Sequence, residues 1–128
     1  MEYVKIKGKE YPAQIIGFME DPSWDRRESK TIIFSNNAIT YKKVMDTFVD
    51  GAEWSIISEW QEELFDEEGK PFDPPQFVTH RDEFDNSDFS LAGEVCNKRD
   101  GGTITVKMGK LTDLESLIED IYGGGENK

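Results

Sequence analysis

Phe89-Ser90-Leu91-Ala92-Gly93-Glu94-Val95-Cys96, then Asn97-Lys98-Arg99-Asp100-Gly101-Gly102, then Thr103-Ile104-Thr105-Val106-Lys107-Met108 is the stretch that decides the fold. Phe89, Leu91, Gly93 and Val95 alternate with Ser90, Ala92, Glu94 and Cys96. Beyond the turn, Ile104, Val106 and Met108 alternate with Thr103, Thr105 and Lys107. A period of two puts each set on its own face of a strand. The glycines between the runs supply the positive φ that tight hairpins demand. The stretch is predicted to be an antiparallel hairpin.

Toward the C-terminus, Thr112-Asp113-Leu114-Glu115 has the spacing of a capping box. In that motif the Thr hydroxyl accepts from the third helical N–H and the Glu reaches back to the cap. Leu114, Leu117, Ile118 and Ile121 then line one side of a helix, Gly123 ends it, and residues 123–128 form a flexible tail. Toward the N-terminus, Val4 and Ile6 mark a strand that turns at Gly8-Lys9 into a second, Glu10 to Phe18. Tyr11, Ala13 and Ile15 share one face of it, and Pro12 suits an edge or a strand start because it has no N–H to donate. Asp21-Pro22-Ser23 breaks that run before a third strand at Ser29 to Ser35, which Asn36-Asn37 ends. Thr40 caps a short helix with Tyr41, Val44, Met45 and Phe48 as its apolar stripe. After Asp50-Gly51, Trp54, Ile56, Ser58 and Trp60 share one face of a further strand.

Residues 59–88 differ in kind. They hold eleven acidic side chains against Lys70 and Arg81, and so carry most of the chain's net charge of -12. Pro71, Pro74 and Pro75 lie inside, which excludes a continuous helix. Glu68-Gly69-Lys70 is placed to turn a ribbon between Leu64-Phe65 and Phe72. The expected fold class is α+β: a mainly antiparallel or rolled-up sheet of about six strands with two short helices, ordered β-β-β-α-β-(acidic insertion)-β-β-α. The expected organisation is a single domain over 1–122, with the proline-containing acidic insertion at 59–88 and the tail at 123–128.

The 128 residues, 36% hydrophobic and 12% aromatic, suffice for one folded core. No apolar run reaches the roughly 20 residues that span a bilayer, and the alternating start is not a signal peptide. A lone cysteine, Cys96, excludes an intrachain disulfide framework. The expected site of synthesis is reducing and intracellular, the cytoplasm. Strong net negative charge argues against nucleic acid or an anionic membrane as a direct partner.

No catalytic, cofactor-binding or metal-ligating residue is assigned. Zinc needs about four Cys, His or carboxylate ligands at set spacing, and only Cys96 and His80 offer the softer donors. As a nucleophilic pair, Cys96 and His80 lack any local feature that lowers the thiol's pKa. Asp82, Glu83, Asp85, Asn86, Ser87 and Asp88 offer oxygen donors for calcium but fail the EF-hand spacing; the commoner role of such a run is to cap its own backbone. Paired carboxylates for glycoside hydrolysis need a cleft, and nothing here signals one. Neither glycine cluster precedes a helix as a phosphate loop does.

Partner contact is the remaining chemistry. Trp24, Arg26 and Arg27 are of the types enriched at interface hot spots, although Asp25 and Glu28 are neighbours that arginines pair with. Trp54 is expected in the core. Trp60 opens the acidic segment and is a candidate contact together with Glu62, Glu63, Asp66, Glu67 and Glu68.

Four phrases carry a resemblance: Ile6 to Ala13 (IKGKEYPA), Phe48 to Ile56 (FVDGAEWSI), Asp85 to Phe89 (DNSDF) and Arg99 to Lys110 (RDGGTITVKMGK). They resemble small uncharacterised proteins encoded by phages and prophages of Gram-positive, Clostridia-like bacteria, commonly near tail and other late genes. The likeness spans most of the chain apart from the acidic segment. The phrases are turns and strands, so they transfer no functional residue. Together with the strand-rich pattern and the lack of a catalytic constellation, the resemblance implies a non-enzymatic structural or assembly protein, tail- or virion-associated, that binds a phage structural protein or self-associates as a homo-oligomer. The alternative is a phage accessory protein that antagonises a host defence protein, either as an acidic nucleic-acid mimic, which the charge concentrated in residues 59–88 suggests, or by sequestering a nucleotide signal.

Overall fold

The computed structural model describes residues 1–112 and Glu115. Its elements are β1 (Glu2–Ile6), β2 (Lys9–Asp21), β3 (Arg27–Ser35), α1 (Tyr41–Thr47), β4 (Trp54–Phe65), β5 (Pro71–Asp85), β6 (Leu91–Lys98) and β7 (Thr103–Gly109). All seven strands join one antiparallel sheet in the order β5-β4-β1-β2-β3-β7-β6. The architecture is a sheet-dominated α+β fold with one more strand than the sequence led us to expect. The additional strand is β5.

The β6–β7 hairpin forms as its alternation predicts, with Lys98 opposite Thr103 and Val95 opposite Val106. The β1–β2 hairpin closes on Lys7 and Gly8 at φ 52° and 78°, the positive-φ pair of a two-residue turn. Strand β2 then changes neighbour along its length. Residues Lys9 to Pro12 pair with β1, and residues from Ala13 to Asp21 pair with β3. Pro12 sits at the handover, where a missing N–H interrupts neither ladder.

The inner faces of β1, β3, β4 and β7 supply Val4, Ile6, Ile32, Phe34, Trp54, Ile56, Ile104, Val106 and Met108 to the core. Val44 of α1 and its C-cap Phe48 close it together with Ile39 and Phe89. An aromatic run crosses the core from Tyr11 through Phe34 and Phe48 to Trp54, with ring centroids 6.3, 5.7 and 6.4 Å apart. The Trp54 indole N–H donates to the Phe89 carbonyl at 3.0 Å, so its one polar atom is satisfied where the ring is buried.

Thr40 caps α1, its hydroxyl accepting from the Lys43 N–H at 3.1 Å. The helix buries Val44, Thr47 and Phe48, whereas Tyr41 and Met45, expected in its apolar stripe, are exposed. A seven-residue helix that meets the sheet mainly through β6 and β7 presents a narrow side, and that side is rotated toward Thr47. The capping box at the C-terminal end is present. The Glu115 N–H donates to the Thr112 hydroxyl at 3.3 Å, and the Thr112 N–H donates to the Glu115 carboxylate at 2.8 Å. The apolar stripe, the Gly123 stop and the 123–128 tail lie outside the described residues.

The segment 59–88 is corrected most. Rather than an insertion between strands, it is itself two paired strands: β4 runs on to Phe65 and β5 occupies Pro71 to Asp85. The prolines are tolerated because β5 is the outermost strand, so one side of it donates to no ladder. Phe72, Asp73, Pro74 and Pro75 also fall in an irregularity, since Leu64 faces Gln76 and the next pair is Phe65 with Pro71. The anticipated turn at Glu68-Gly69-Lys70 forms. Among the described residues no helix is long and apolar enough to cross a membrane.

Candidate interaction surface

Strand β1 covers β4 only between Trp54 and Ser58. The last inter-strand bonds on that side belong to Met1, whose amino group donates to the Glu59 carbonyl at 2.7 Å and whose carbonyl accepts the Glu59 N–H at 2.8 Å. From Trp60 onward, β4 has β5 alone for a partner among the described residues. Trp60 to Arg81 is therefore a two-stranded ribbon running beyond the body of the sheet. Its tip is built by Asp66, whose carboxylate accepts from the Glu68 and Lys70 N–H groups at 2.9 Å each.

Cross-strand partners share a face. One face of the ribbon carries Trp60 with His80, Glu62 with Val78, and Leu64 with Gln76; the other carries Gln61 with Thr79, Glu63 with Phe77, and Phe65 with Pro71. Trp60, Leu64, Phe65, Phe77 and Val78 are all exposed, Phe65 and Phe77 at 55% and 54%. Trp60 stacks on His80 with centroids 5.3 Å apart, and Glu62 Oε2 lies 2.7 Å from His80 Nε2. Glu62, Glu63, Asp66, Glu67, Glu68 and Asp73 give the ribbon its charge, against Lys70 and Arg81. Arg81 is already engaged at the ribbon's base. It bonds Glu10 and Glu59 and lies 5.7 Å over the Tyr3 ring. The Glu10 hydrogen bond raises the guanidinium's pKa and lowers that of Glu10.

The ribbon thus brings together Trp60, Glu62, Glu63, Asp66, Glu67 and Glu68. Trp24, Arg26 and Arg27 lie elsewhere, on the β2–β3 turn. Arg27 does not pair with Asp25 or Glu28 as its neighbours suggest. It is buried, makes a two-pronged contact with Glu115 at 2.7 and 3.0 Å, and donates to the Lys110 carbonyl at 2.8 Å. Its Nε is buried with no hydrogen-bond partner among the described residues. The guanidinium lies 5.0 Å from the centre of the Trp24 ring. Trp24 in turn covers Gly93 and Gly109, where an added Cβ would sit 2.8 Å from its ring atoms. Trp24 and Arg27 therefore clasp the turn to β6 and β7, and of the three only Arg26 is left exposed. The two glycines, each on a strand, were the available signal for this close approach.

Buried Asp21 completes the clasp. Its carboxylate accepts from Ser23 at 2.6 Å, from Ser29 at 2.9 Å and from Lys107 at 2.9 Å. The Ser23 and Lys107 hydrogen bonds hold its pKa far below the ordinary aspartate range. Ser23, Lys107 and Asp21 contain the residue types of a serine–lysine nucleophile. Here, however, Lys107 is salt-bridged to Asp21 and donates to Ser23 at 2.8 Å, whereas a base must accept the serine's proton. The cluster holds the turn in place.

His80 and Cys96 keep separate partners: Glu62 and Trp60 for the histidine, Glu94 for the thiol at 3.2 Å. The Glu94 hydrogen bond and desolvation raise the Cys96 pKa, which is opposite to what a nucleophile needs. In the 82–88 run, Asp85 accepts from the Ser87 N–H at 3.1 Å and hydroxyl at 2.6 Å, capping its own backbone. No protein-family model, curated protein or solved structure matches the chain.

Proposed function

We propose that this chain is a non-enzymatic binding protein whose contact element is the Trp60–Arg81 ribbon and whose partner is another protein. The observation that carries this reading is the exposure of Trp60, Leu64, Phe65, Phe77 and Val78 on a ribbon that contributes nothing to the core. Large apolar side chains interleaved with carboxylates are the composition of a surface that docks on a partner bearing apolar and cationic groups. The phage-protein resemblance supplies the context: a structural or assembly role, with the partner a component of the particle. The defence-antagonist alternative, as a nucleic-acid mimic, is supported less. A mimic needs an array of carboxylates, and each ribbon face alternates them with apolar residues.

Photo-crosslinking in phage-producing cells tests the reading. A benzophenone amino acid replaces Phe77 on the ribbon in one variant and exposed Met45 of α1 in another. A discrete crosslinked protein from position 77 alone is the expected result. Equal crosslinking from both positions, or none from 77, refutes it. Mass spectrometry of purified particles addresses the context separately, and absence of the chain from them removes the virion role.

A further inference from the structure

Among the described residues, the inner edge of β4 beyond Glu59 has no neighbour, although its backbone is built to accept one. Backbone groups alternate sides along a strand. Because Glu59 directs its N–H and C=O to Met1, those of Gln61, Glu63 and Phe65 point to the same side, ahead of β1, where no described strand lies. The outer edge of the ribbon is different. There β5 begins at the tip with Pro71, Pro74 and Pro75, which lack the N–H groups that an added strand would bond. The inner edge, Trp60 to Phe65, has no proline and no bulge before Leu64.

We infer that this edge receives an extended, basic segment of the partner protein, which adds to β4 as a strand in line with β1. The inference rests on the ribbon being the contact element and specifies how it binds. A strand continuing the line of β1 runs antiparallel to β4, as β1 does. Its side chains opposite Glu62 and Glu63 meet one carboxylate on each face, so both positions favour Lys or Arg. Those opposite Trp60, Leu64 and Phe65 meet apolar groups. The segment therefore reads, from its N-terminus, apolar-apolar-basic-basic-polar-apolar. A second copy of this chain is disfavoured, because an antiparallel β4–β4 pairing centred on Glu62 or Glu63 sets two like charges opposite each other.

The probe is the capped hexapeptide Ac-Val-Ile-Lys-Arg-Thr-Val-NH2, titrated into the full chain and followed by amide hydrogen exchange. Slowed exchange at Gln61, Glu63 and Phe65 is expected, with binding weakened about tenfold or more when the Lys and Thr amides, which face β4, are N-methylated. Replacing the Lys-Arg pair by Glu-Glu abolishes binding. Four outcomes overturn the inference: no binding, protection on β5 instead, equal binding of the methylated peptide, or a dimer by light scattering in place of a peptide complex. A position-77 crosslink together with an unbound peptide sinks strand addition and leaves the ribbon reading intact. A missing crosslink sinks that reading itself.

Discussion

Strand β4 is one strand with two environments. Between Trp54 and Ile57 it lies in the body, flanked by β1 and β5, and Trp54 is 2% exposed. Six residues along, in the same phase, Trp60 is 45% exposed with only β5 beside it. Both halves alternate and both pair in register, so backbone pairing does not separate them. What separates them is the cover: Phe48 and Phe89 close over Trp54, and nothing described closes over the ribbon except its own His80. Strand formation and burial are thus separate events, the first governed by pairing and the second by what lies above the sheet.

The largest effect that tests this contrast is at Trp54. Trp54→Ala empties a site at the junction of β4, α1 and the Phe89 carbonyl, and such truncations cost about 3–5 kcal/mol. For a domain of this size that is a large part of the total stability. Urea unfolding should show an unfolding free energy lowered by that amount, with a correspondingly lower midpoint, or a chain already unfolded in buffer. A loss below about 1 kcal/mol would mean that the Trp54 site does not anchor the body.

The same contrast explains what was legible in the sequence. At Asn97–Gly102 the alternation and the glycine turn gave both strands and their pairing from local residues, and Asn36-Asn37 marked where β3 ends. The Thr40 and Thr112–Glu115 caps were legible for the same reason. Strand β5 was not, because its prolines count against a strand unless its edge position is known, and strand order is a non-local property. The site divides likewise. Trp60 and the acids from Glu62 to Glu68 stand on one ribbon because they are consecutive on one strand and its turn. The fate of Trp24 and Arg27 depended on Gly93, Gly109 and Glu115, more than sixty residues away. Phe77 and Val78, prominent on the ribbon, lay inside a segment whose prolines hid its strand.

An intermediate effect is expected from acid, and it belongs to the body. Arg27 and the Thr112 N–H hold the Glu115 carboxyl down at about 2, against an ordinary 4.5; Asp21 is displaced the same way from 3.8. Both groups ionise more readily in the folded chain than in the unfolded one. Their contribution is complete above the ordinary values and disappears as pH falls through the folded ones. The melting temperature should accordingly show no change from these two groups above about pH 5 and decline between about pH 4.5 and 2. Glu115→Gln should make that decline shallower. An unchanged profile in the variant would disconnect the clasp from acid stability.

The smallest effect should come from removing the ribbon altogether. Trp60 and His80 face each other, and Glu59 directs its own backbone bonds to Met1, so Trp60 and His80 form a hydrogen-bonded pair of the kind that a two-residue turn closes. Replacing residues 61–79 by Asn-Gly keeps that pair and every residue of the core cluster. Only side chains already largely in solvent are lost, so the body's stability should move by no more than about 1 kcal/mol. Its amides at Val4, Ile32 and Val106 should remain as protected as in the full chain, while in the full chain those of residues 61–79 exchange much faster than the core. Stability falling as far as in Trp54→Ala would show the ribbon to be a supporting member of the body, and its exposed aromatics would then need another explanation than partner binding.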